Sequence, residues 1–206
     1  MSYLPLIKGS GFASLLSSSF EAEALPLEDP ASFEVAYASF KAAHPKADHY
    51  PYALRVKGYE KSSDDGEPGG SAGKAMLIML EERDIDCCLI VVARYFGGTK
   101  LGVGRLKRCF LEASKEALDK ATYGEEQDVL KIHLSLSYSR YEEVKRLCKK
   151  HGYEIKDEQF ALQVETNLYV DGTIPFDENS LLLKQEEILG QEHVKLVRKL
   201  DHDPIQ

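Results

Sequence analysis

Hydrophobic residues in the first half of the chain follow helical and strand spacings in turn, separated by polar, glycine-rich segments. Between Glu28 and Pro45 the apolar residues recur at helical spacing. Asp29 stands where a cap is needed and Pro30 suits a first turn, so a helix is predicted there. The run "DCCLIVVARYF" at 86–96 is apolar almost throughout, which predicts a central strand buried on both faces.

Three further elements are predicted in this half. Aromatic and branched residues at 49–59 predict a strand. The segments 72–84 and 105–121 carry apolar residues at helical spacing and predict helices. The glycine-rich segment "GGTKLGVG" at 97–104 is expected to be a loop between the buried strand and the second of these helices.

The second half predicts a β-α-β-β-α-β order, which is that of a ferredoxin-like α+β domain. Ser139 with Glu142 resembles a capping box for its first helix. Its second helix is expected from four apolar residues, and a last strand from three more: Leu181, Leu182, Ile188 and Leu189, then Val194, Leu196 and Leu200. A break near "TYGEEQD" divides the chain into predicted domains 1–124 and 125–206, so the fold class is two-domain α+β.

Composition and segment pattern predict a cytoplasmic protein. The chain has 206 residues, 43% of them hydrophobic and 29% charged, which is ordinary for a globular protein. No apolar run reaches the ~20 residues that span a bilayer, and the N-terminus does not resemble a signal peptide. The four cysteines show no CxxC spacing, so neither a zinc site nor a redox dithiol is indicated and buried free thiols are expected.

Charge is distributed unevenly along the chain. The net charge of −8 argues against bulk, non-specific binding of nucleic acid. Residues 1–124 carry 15 basic and 17 acidic residues, whereas residues 125–206 carry 11 and 17. No acid lies between Asp86 and Glu112, and five cations do, which makes this segment the first candidate for an anion-binding surface: Arg94, Lys100, Arg105, Lys107 and Arg108.

Three of these cations are predicted to occupy the first turn of the helix over 105–121. Cations at a helix N-terminus oppose the helix dipole, at a cost of about 0.3–1 kcal/mol each. A sequence selected for stability alone would prefer acids there, so Arg105, Lys107 and Arg108 favour an anionic partner. Simple solvated charge is the alternative interpretation.

The acidic, glycine-rich stretch "SSDDGEPGGSAGKAM" at 62–76 has three interpretations. A phosphate-binding Walker loop is excluded, because Pro68 and Ala75 stand where glycine and Ser/Thr are required. Asp64, Asp65 and Glu67 suit a hard cation, but the calcium-loop spacing is absent and Asp-Gly is a common turn. We therefore predict no metal and a structural turn that braces the basic cleft, with Ser71 capping the next helix: Asp64, Asp65, Gly66, Glu67, Pro68, Gly70 and Gly73.

Arg94 and its aromatic neighbours leave alternatives open. At the end of a buried strand Arg94 must find a partner or line a cleft, so it contacts either the acidic loop or a ligand. Lys74 is expected to assist anion binding. Four aromatic residues flank the loops, where they stack on a base or pack in the core, and Tyr95 is the preferred stacking residue: Tyr50, Tyr52, Tyr95 and Phe96.

The segments "DDGEPGGSAGK" at 64–74 and "VVARYFGGTKLGVG" at 91–104 occur in order, and together they resemble the IMPACT/YigZ family in its bacterial two-domain form. "KGSGF" at 8–12 and "ADHYPYALR" at 47–55 are similar to two other motifs of that family. The resemblance covers about residues 5–121, and the second half is similar to the smaller C-terminal domain of the bacterial members.

The resemblance implies a first domain folded like the second domain of the fifth small-subunit ribosomal protein. It also implies a ferredoxin-like second domain similar to the last domain of translocating elongation factors. Eukaryotic members of the family regulate translation during amino-acid starvation through a protein partner. A basic cleft that binds nucleic acid is the usual suggestion for bacterial members.

The chain departs from the family pattern at two places. Gly11 stands where the family usually has a basic residue. The family usually reads G-G-L-V-R-A-Y at 104–110, where this chain retains Arg108 and an aromatic Phe110 but carries Arg105 and Lys107. These two cations add charge and remove a glycine. The change either strengthens contact with phosphates or prevents the close approach of the backbone to a ligand that a glycine permits.

The leading hypothesis is a translation-linked regulator that binds RNA, the ribosome or another phosphate-bearing ligand, without a cofactor or a catalytic residue. An enzyme acting on a small phosphorylated or peptide substrate is the second hypothesis, with Asp64, Asp65, Glu67 and His49 as its candidates. A protein-interaction module with a protein partner is the third. Salt-dependent RNA binding, metal-dependent turnover and stoichiometric capture without RNA distinguish them.

Overall fold

The computed structural model of the protein describes residues 2–173, 176 and 178–200. It divides into two compact units: the first is formed by residues up to Glu125 with the segment that begins at Arg198, and the second by Glu126–Val197. Each is a mixed arrangement of helices and a sheet, which confirms the α+β fold class. In the described residues no helix combines the length and apolarity that crossing a membrane requires.

Within the described residues, the first unit contains six strands and three α-helices, followed by the start of a seventh strand. In chain order they are β1 (Tyr3–Ile7), β2 (Gly9–Leu15), β3 (Ser18–Pro26), α1 (Phe33–Ala43), β4 (Tyr52–Val56), β5 (Tyr59–Ser63), α2 (Gly73–Glu82), β6 (Cys88–Tyr95), α3 (Val103–Asp119) and β7 (Thr122–Leu136). The main sheet has the antiparallel order β2-β3-β6-β4-β5. A short 3-10 helix, Pro30–Ser32, precedes α1, and the Asp29 carboxylate accepts a hydrogen bond from the Ala31 N–H, as expected of a cap.

Helices cover both faces of this sheet, which explains the continuous apolar run of β6. Alternate β6 residues, including Ile90 and Val92, pack in the core with α2 and α3. Their neighbours Leu89 and Val91 belong to the second core, which α1 closes with Phe33 and Phe40. The predicted central strand and the three predicted helices are therefore confirmed.

Strand β5 is an element that the hydrophobic pattern does not predict. Its residues are polar or exposed, so they show no apolar alternation. Lys57 and Gly58 both adopt positive φ angles, of 50° and 83°, which form the tight turn between β4 and β5. The hairpin is therefore determined by backbone geometry rather than by a hydrophobic pattern.

Helix α3 lies so close to β2 that only glycine fits between them. A Cβ atom at Gly11 would lie 2.1 Å from the carbonyl oxygen of Ala113, and one at Gly9 would lie 1.9 Å from that of Ala117. The Glu116 carboxylate also accepts a 2.8 Å hydrogen bond from the Phe12 N–H. This packing leaves no room for the basic residue that the family pattern places at position 11.

The second unit has the ferredoxin-like strand order. It contains the rest of β7, α4 (Tyr138–His151), β8 (Glu154–Phe160), β9 (Val164–Asp171) and β10 (Ile188–Lys199), and the sheet runs β8-β9-β7-β10. Even-numbered residues at the end of β7 and along β9, such as Ile132 and Leu168, are buried in the core with α4, as their alternation predicts. The cap of α4 is Ser137 rather than the predicted Ser139, since its hydroxyl accepts the Arg140 N–H.

The predicted second helix of this unit is wrong for the described residues. Two short 3-10 helices, Glu178–Leu181 and Gln185–Glu187, occupy the segment, and β10 begins at Ile188. Arg140 holds this segment, because its guanidinium contacts the Glu187 carboxylate at 2.8 Å and donates to the Leu182 carbonyl at 2.7 Å. Leu182 and Leu189 are more than half exposed, so no continuous apolar stripe packs here.

All four cysteines are free and buried, as expected: Cys87, Cys88, Cys109 and Cys148. Cys87 and Cys88 lie in different cores on opposite faces of the first sheet. Burial raises the pKa of the Cys88 thiol, and burial raises the pKa of Cys148 to about 11. Buried thiols with raised pKa values are poor nucleophiles, so they act as packing residues.

Candidate anion-binding site

The acidic, glycine-rich loop between β5 and α2 caps α2 with its first carboxylate. Asp64 accepts hydrogen bonds from the N–H groups of Gly70, Ala72 and Gly73 at 2.8–3.0 Å. The expected cap, Ser71, is fully buried and its hydroxyl has no partner among the described residues. The Asp64 carboxylate therefore already occupies the N-terminus of α2, where an anion would otherwise bind.

The second carboxylate ties the loop to the strand before it. Asp65 accepts a 2.6 Å hydrogen bond from the Tyr50 N–H, and its own carbonyl oxygen lies 2.7 Å from His49 Nδ1. Asp65 and Gly66 adopt positive φ angles of 45° and 85°, the geometry of a tight Asp-Gly turn. The imidazole of His49 is thus engaged by a backbone carbonyl oxygen.

The third carboxylate, Glu67, pairs with Arg94 inside the first unit. Arg94 Nη1 lies 2.6 Å and 2.5 Å from the two Glu67 carboxylate oxygens. The Arg94 and Glu67 side chains are only 9% and 1% exposed. Arg94 therefore does not belong to the cations that a ligand in solvent reaches, and of its two interpretations the ion pair with the acidic loop is the one observed.

These contacts also locate the candidates of the enzyme hypothesis. Asp64, Asp65 and Glu67 each bind a group of the protein itself, and no nucleophile contacts His49 in the described residues. Among the same residues no group of three histidine, cysteine or acidic side chains is placed to hold a metal ion. The arrangement is that of a braced turn.

Exposed cations lie on the segment that follows β6. We define the basic segment as residues 96–107, from Phe96 through the first residues of α3. Lys100, Arg105 and Lys107 are exposed and form no ion pair with any described residue. The N-cap of α3 is Gly102, which supplies no side-chain acceptor to the free N–H groups.

Helix α3 begins earlier than predicted, at Val103. Only Arg105 then lies in its first turn, while Lys107 and Arg108 lie in the second. The helix dipole therefore acts unfavourably on Arg105 and less on Lys107 and Arg108.

Arg108 differs from its neighbours because it has a partner. Its Nε lies 2.7 Å from Glu112, one helical turn further on, and this hydrogen bond raises the pKa of the guanidinium. Lys115 and Lys120 of the same helix region also pair with acids four residues away. Cys109 and Leu111 occupy the corresponding positions for Arg105 and Lys107, so these two cations are left unpaired.

A shallow groove of about 350 Å³ lies between α2 and α3. Its lining combines apolar Met79 and Leu111 with three cations and one acid: Lys107, Arg108, Lys115 and Glu112. Lys74 is exposed near the start of α2. Because Arg108 pairs with Glu112 and Lys115 pairs with Asp119, Lys107 is the cation of this lining that has no ion pair in the described residues.

The four aromatic residues near the loops differ in exposure. Tyr50 and Tyr52 are buried in the second core. Tyr95, the preferred stacking candidate, points to the same face, where its hydroxyl lies 3.0 Å from His44 Nδ1. Phe96 is on the face of Arg94 and is 45% exposed. Strand alternation therefore separates Tyr95 from the basic segment and leaves Phe96 there.

Comparison with known proteins shows where this chain is related to others. A family model described as the Impact N-terminal domain matches residues 16–118, and a domain of unknown function, DUF1949, matches residues 134–173. The chain is 33% identical over 144 residues to an IMPACT family member from Haemophilus influenzae, which covers 67% of this chain and 68% of that protein.

Other relatives share shorter regions. The chain is 33% identical over 112 residues to IMPACT family member YvyE of Bacillus subtilis, covering 54% of this chain and about half, 52%, of that relative. It is 36% identical over 84 residues to the protein IMPACT homolog of Saccharomyces cerevisiae, covering 38% and 31% of the two chains. A solved structure of a hypothetical protein has the same fold, with a TM-score of 0.59, 23% identity and coverage of 84% and 87%.

Proposed function

The chain belongs to the IMPACT family, and we propose that it is a translation-linked regulator that binds single-stranded RNA, or another phosphate-bearing ligand, through the basic segment. Family membership supports the link to translation, because the resemblance to eukaryotic members implies such a role and the chain is similar to the IMPACT homolog of Saccharomyces cerevisiae. A translation-linked protein would meet ribosomal RNA and ribosome-associated RNA as ligands.

The unpaired cations carry this proposal. Lys100, Arg105 and Lys107 are exposed without an acidic partner in the described part of the chain, whereas the cations further along α3 are paired. Arg105 also lies at the start of a helix, where a cation is unfavourable unless an anion is bound. Phosphates neutralise such cations and release counterions, which makes the affinity depend on salt.

Charge reversal tests the proposal. Arg105→Glu combined with Lys107→Glu removes two cations and adds two acids on the basic segment. We expect weaker binding of a fluorescent single-stranded RNA in anisotropy titrations, at every salt concentration below about 0.2 M. Neutral Gln variants at the same positions should flatten the slope of log affinity against log salt by about 0.7 for each cation removed.

Stability should change in the opposite sense. A glutamate in place of Arg105 interacts favourably with the helix dipole, so the double variant should keep its fold and its thermal midpoint should be unchanged or higher. If Arg105 and Lys107 are only solvated charges, the double variant should have the same stability but should lose no RNA affinity. The RNA affinity of the double variant therefore distinguishes the two explanations.

A control variant with the same change in net charge excludes a general electrostatic effect. Lys149→Glu with Lys150→Glu alters two exposed cations at the end of α4, in the other unit. This control should bind RNA nearly as well as the parent protein. Equal affinities of the parent and the Arg105/Lys107 variant at low salt would show that the basic segment is not the site.

A further inference from the structure

We propose that Phe96 is a stacking platform for a nucleobase of single-stranded RNA, and that Arg94 and Glu67 position it. The inference rests on the proposed function and names the group that recognises bases rather than phosphates. Phe96 is the exposed member of the aromatic group, at 45%, whereas Tyr50 and Tyr52 are at most 9% exposed and Tyr95 is hydrogen-bonded to His44.

The backbone around Phe96 is fixed on both sides. The Phe96 N–H donates a 2.7 Å hydrogen bond to the Asp48 carboxylate, and the next N–H, of Gly97, donates to the Ser18 hydroxyl at 3.0 Å. A Cβ atom at Gly97 would lie 2.1 Å from the backbone of Ser17, so the chain packs directly against the turn between β2 and β3. A rigid backbone lowers the entropy that the ring loses when a base binds.

The ring of Phe96 rests on a buried cation. The guanidinium carbon of Arg94 lies over it, 5.4 Å from the ring centroid, and lies 5.7 Å from the centroid of buried Phe20. Glu67 holds Arg94 through both carboxylate oxygens. Glu67 thus fixes Arg94, and Arg94 supports Phe96, which gives the acidic loop a positioning role at the site.

A nucleobase suits this ring better than an apolar protein segment. An exposed phenylalanine attracts either, but Lys100 lies only four residues away, at most about 14 Å along the chain, and Arg105 follows in α3. Single-stranded nucleic acid is recognised by this combination of aromatic stacking and cations along the backbone. Phe96 would take the base while Lys100 and Arg105 contact the neighbouring phosphates.

The test compares two probes with equal phosphate content. One is a fluorescein-labelled oligoadenylate RNA of about 12 nucleotides, and the other is an abasic strand of the same length. Phe96→Leu should weaken binding of the oligoadenylate by about five-fold to 140-fold, the effect of losing one stacked base. Binding of the abasic strand should not change, and Phe96→Tyr should behave like the parent protein.

Phe160→Leu is the matched control, because Phe160 is 59% exposed in the second unit. It should leave both affinities unchanged. A direct readout is also available because the chain contains no tryptophan. Phe96→Trp introduces a single fluorophore whose emission should be quenched when the oligoadenylate stacks on it, and should not be quenched by the abasic strand.

The outcomes separate the inference from the proposed function. If Phe96→Leu binds the oligoadenylate as tightly as the parent while the Arg105/Lys107 variant binds weakly, the stacking role is refuted and the basic segment stands. Equal losses for both probes would make Phe96 a structural or protein-contact residue and also refute stacking. If the parent protein binds neither probe at low salt, the stacking role and the binding of single-stranded RNA are both overturned.

Discussion

Replacing Glu67 with glutamine removes the charge that neutralises Arg94 inside the first unit. The Glu67 and Arg94 side chains are 1% and 9% exposed, so water cannot replace the lost carboxylate without opening the loop. Glutamine keeps the size and offers one hydrogen-bond acceptor, so the main effect is electrostatic. Arg94 stays charged, because a guanidinium does not deprotonate in proteins.

The expected loss of stability is large. Breaking a buried ion pair by removing one partner costs about 3–5 kcal/mol, because the other charge stays buried without compensation. A domain of this kind is stable by about 5–15 kcal/mol, so the Glu67→Gln change should remove a substantial part of the stability of the first unit. Arg94 Nε already lacks a hydrogen-bond partner among the described residues, which leaves the guanidinium with few alternatives.

Urea unfolding followed by circular dichroism measures this change, and a double-mutant cycle identifies its cause. Arg94→Met removes the buried charge and fills similar space. The double variant Glu67→Gln, Arg94→Met should therefore be more stable than the sum of the two single changes predicts. Glu112→Gln is the control, because its pair with Arg108 is exposed and should contribute little.

Two results would refute this reasoning. A loss below about 1 kcal/mol for Glu67→Gln would mean that the pair is solvated in the folded protein. Strictly additive single changes in the cycle would mean that Arg94 and Glu67 do not interact. Calorimetry with magnesium, manganese and calcium adds an independent check, since stoichiometric binding that the Glu67→Gln variant loses would show that the loop holds a metal.

Packing and charge in the two units lead to three more predictions. Gly11→Ala should destabilise the first unit by about 1–3 kcal/mol or more in chemical denaturation, because its Cβ would lie 2.1 Å from the Ala113 carbonyl oxygen. Gly104→Ala is the control and should not destabilise it, because a Cβ there would have no atom within 4 Å. A folded fragment of residues 126–206 should bind RNA poorly, because Tyr169 is the single aromatic residue on the outward face of β7 and β9 in this fragment and its hydroxyl is hydrogen-bonded to Asp157. Submicromolar binding in anisotropy titrations would contradict this prediction. The hydrogen bond from Arg140 lowers the pKa of Glu187 below its usual 4.5, so this pair should stabilise the second unit fully above pH 4.5 and lose its effect as the pH falls through the lowered pKa. Glu187→Gln should therefore reduce the fall of the thermal midpoint at acidic pH.

The sequence by itself determined the elements whose apolar pattern is long and regular. The run around Ile90 predicts a strand buried on both faces, because only such a strand tolerates apolar residues at every position. The spacing of Leu106, Phe110 and Ala117 predicts the buried face of α3, because residues at these intervals lie on one side of a helix. The absence of acids between Asp86 and Glu112 likewise indicates the basic segment from the order of residues alone.

Tertiary structure decided how the charged and aromatic residues are used. Local pattern assigns a face to Arg94 but not a partner, and Glu67 reaches it only because the loop before α2 folds over the end of β6. Strand alternation sends neighbouring Tyr95 and Phe96 to opposite faces, yet only the position of α1 shows that Tyr95 is covered.

The same limit explains the missing helix of the second unit. Its apolar residues, including Leu181 and Ile188, fit a helical spacing. The contacts of Arg140 with Glu187 and the Leu182 carbonyl hold the segment in short 3-10 turns instead. Such contacts join residues that are 47 and 42 positions apart in the chain, so their free energy is absent from any local window of the sequence.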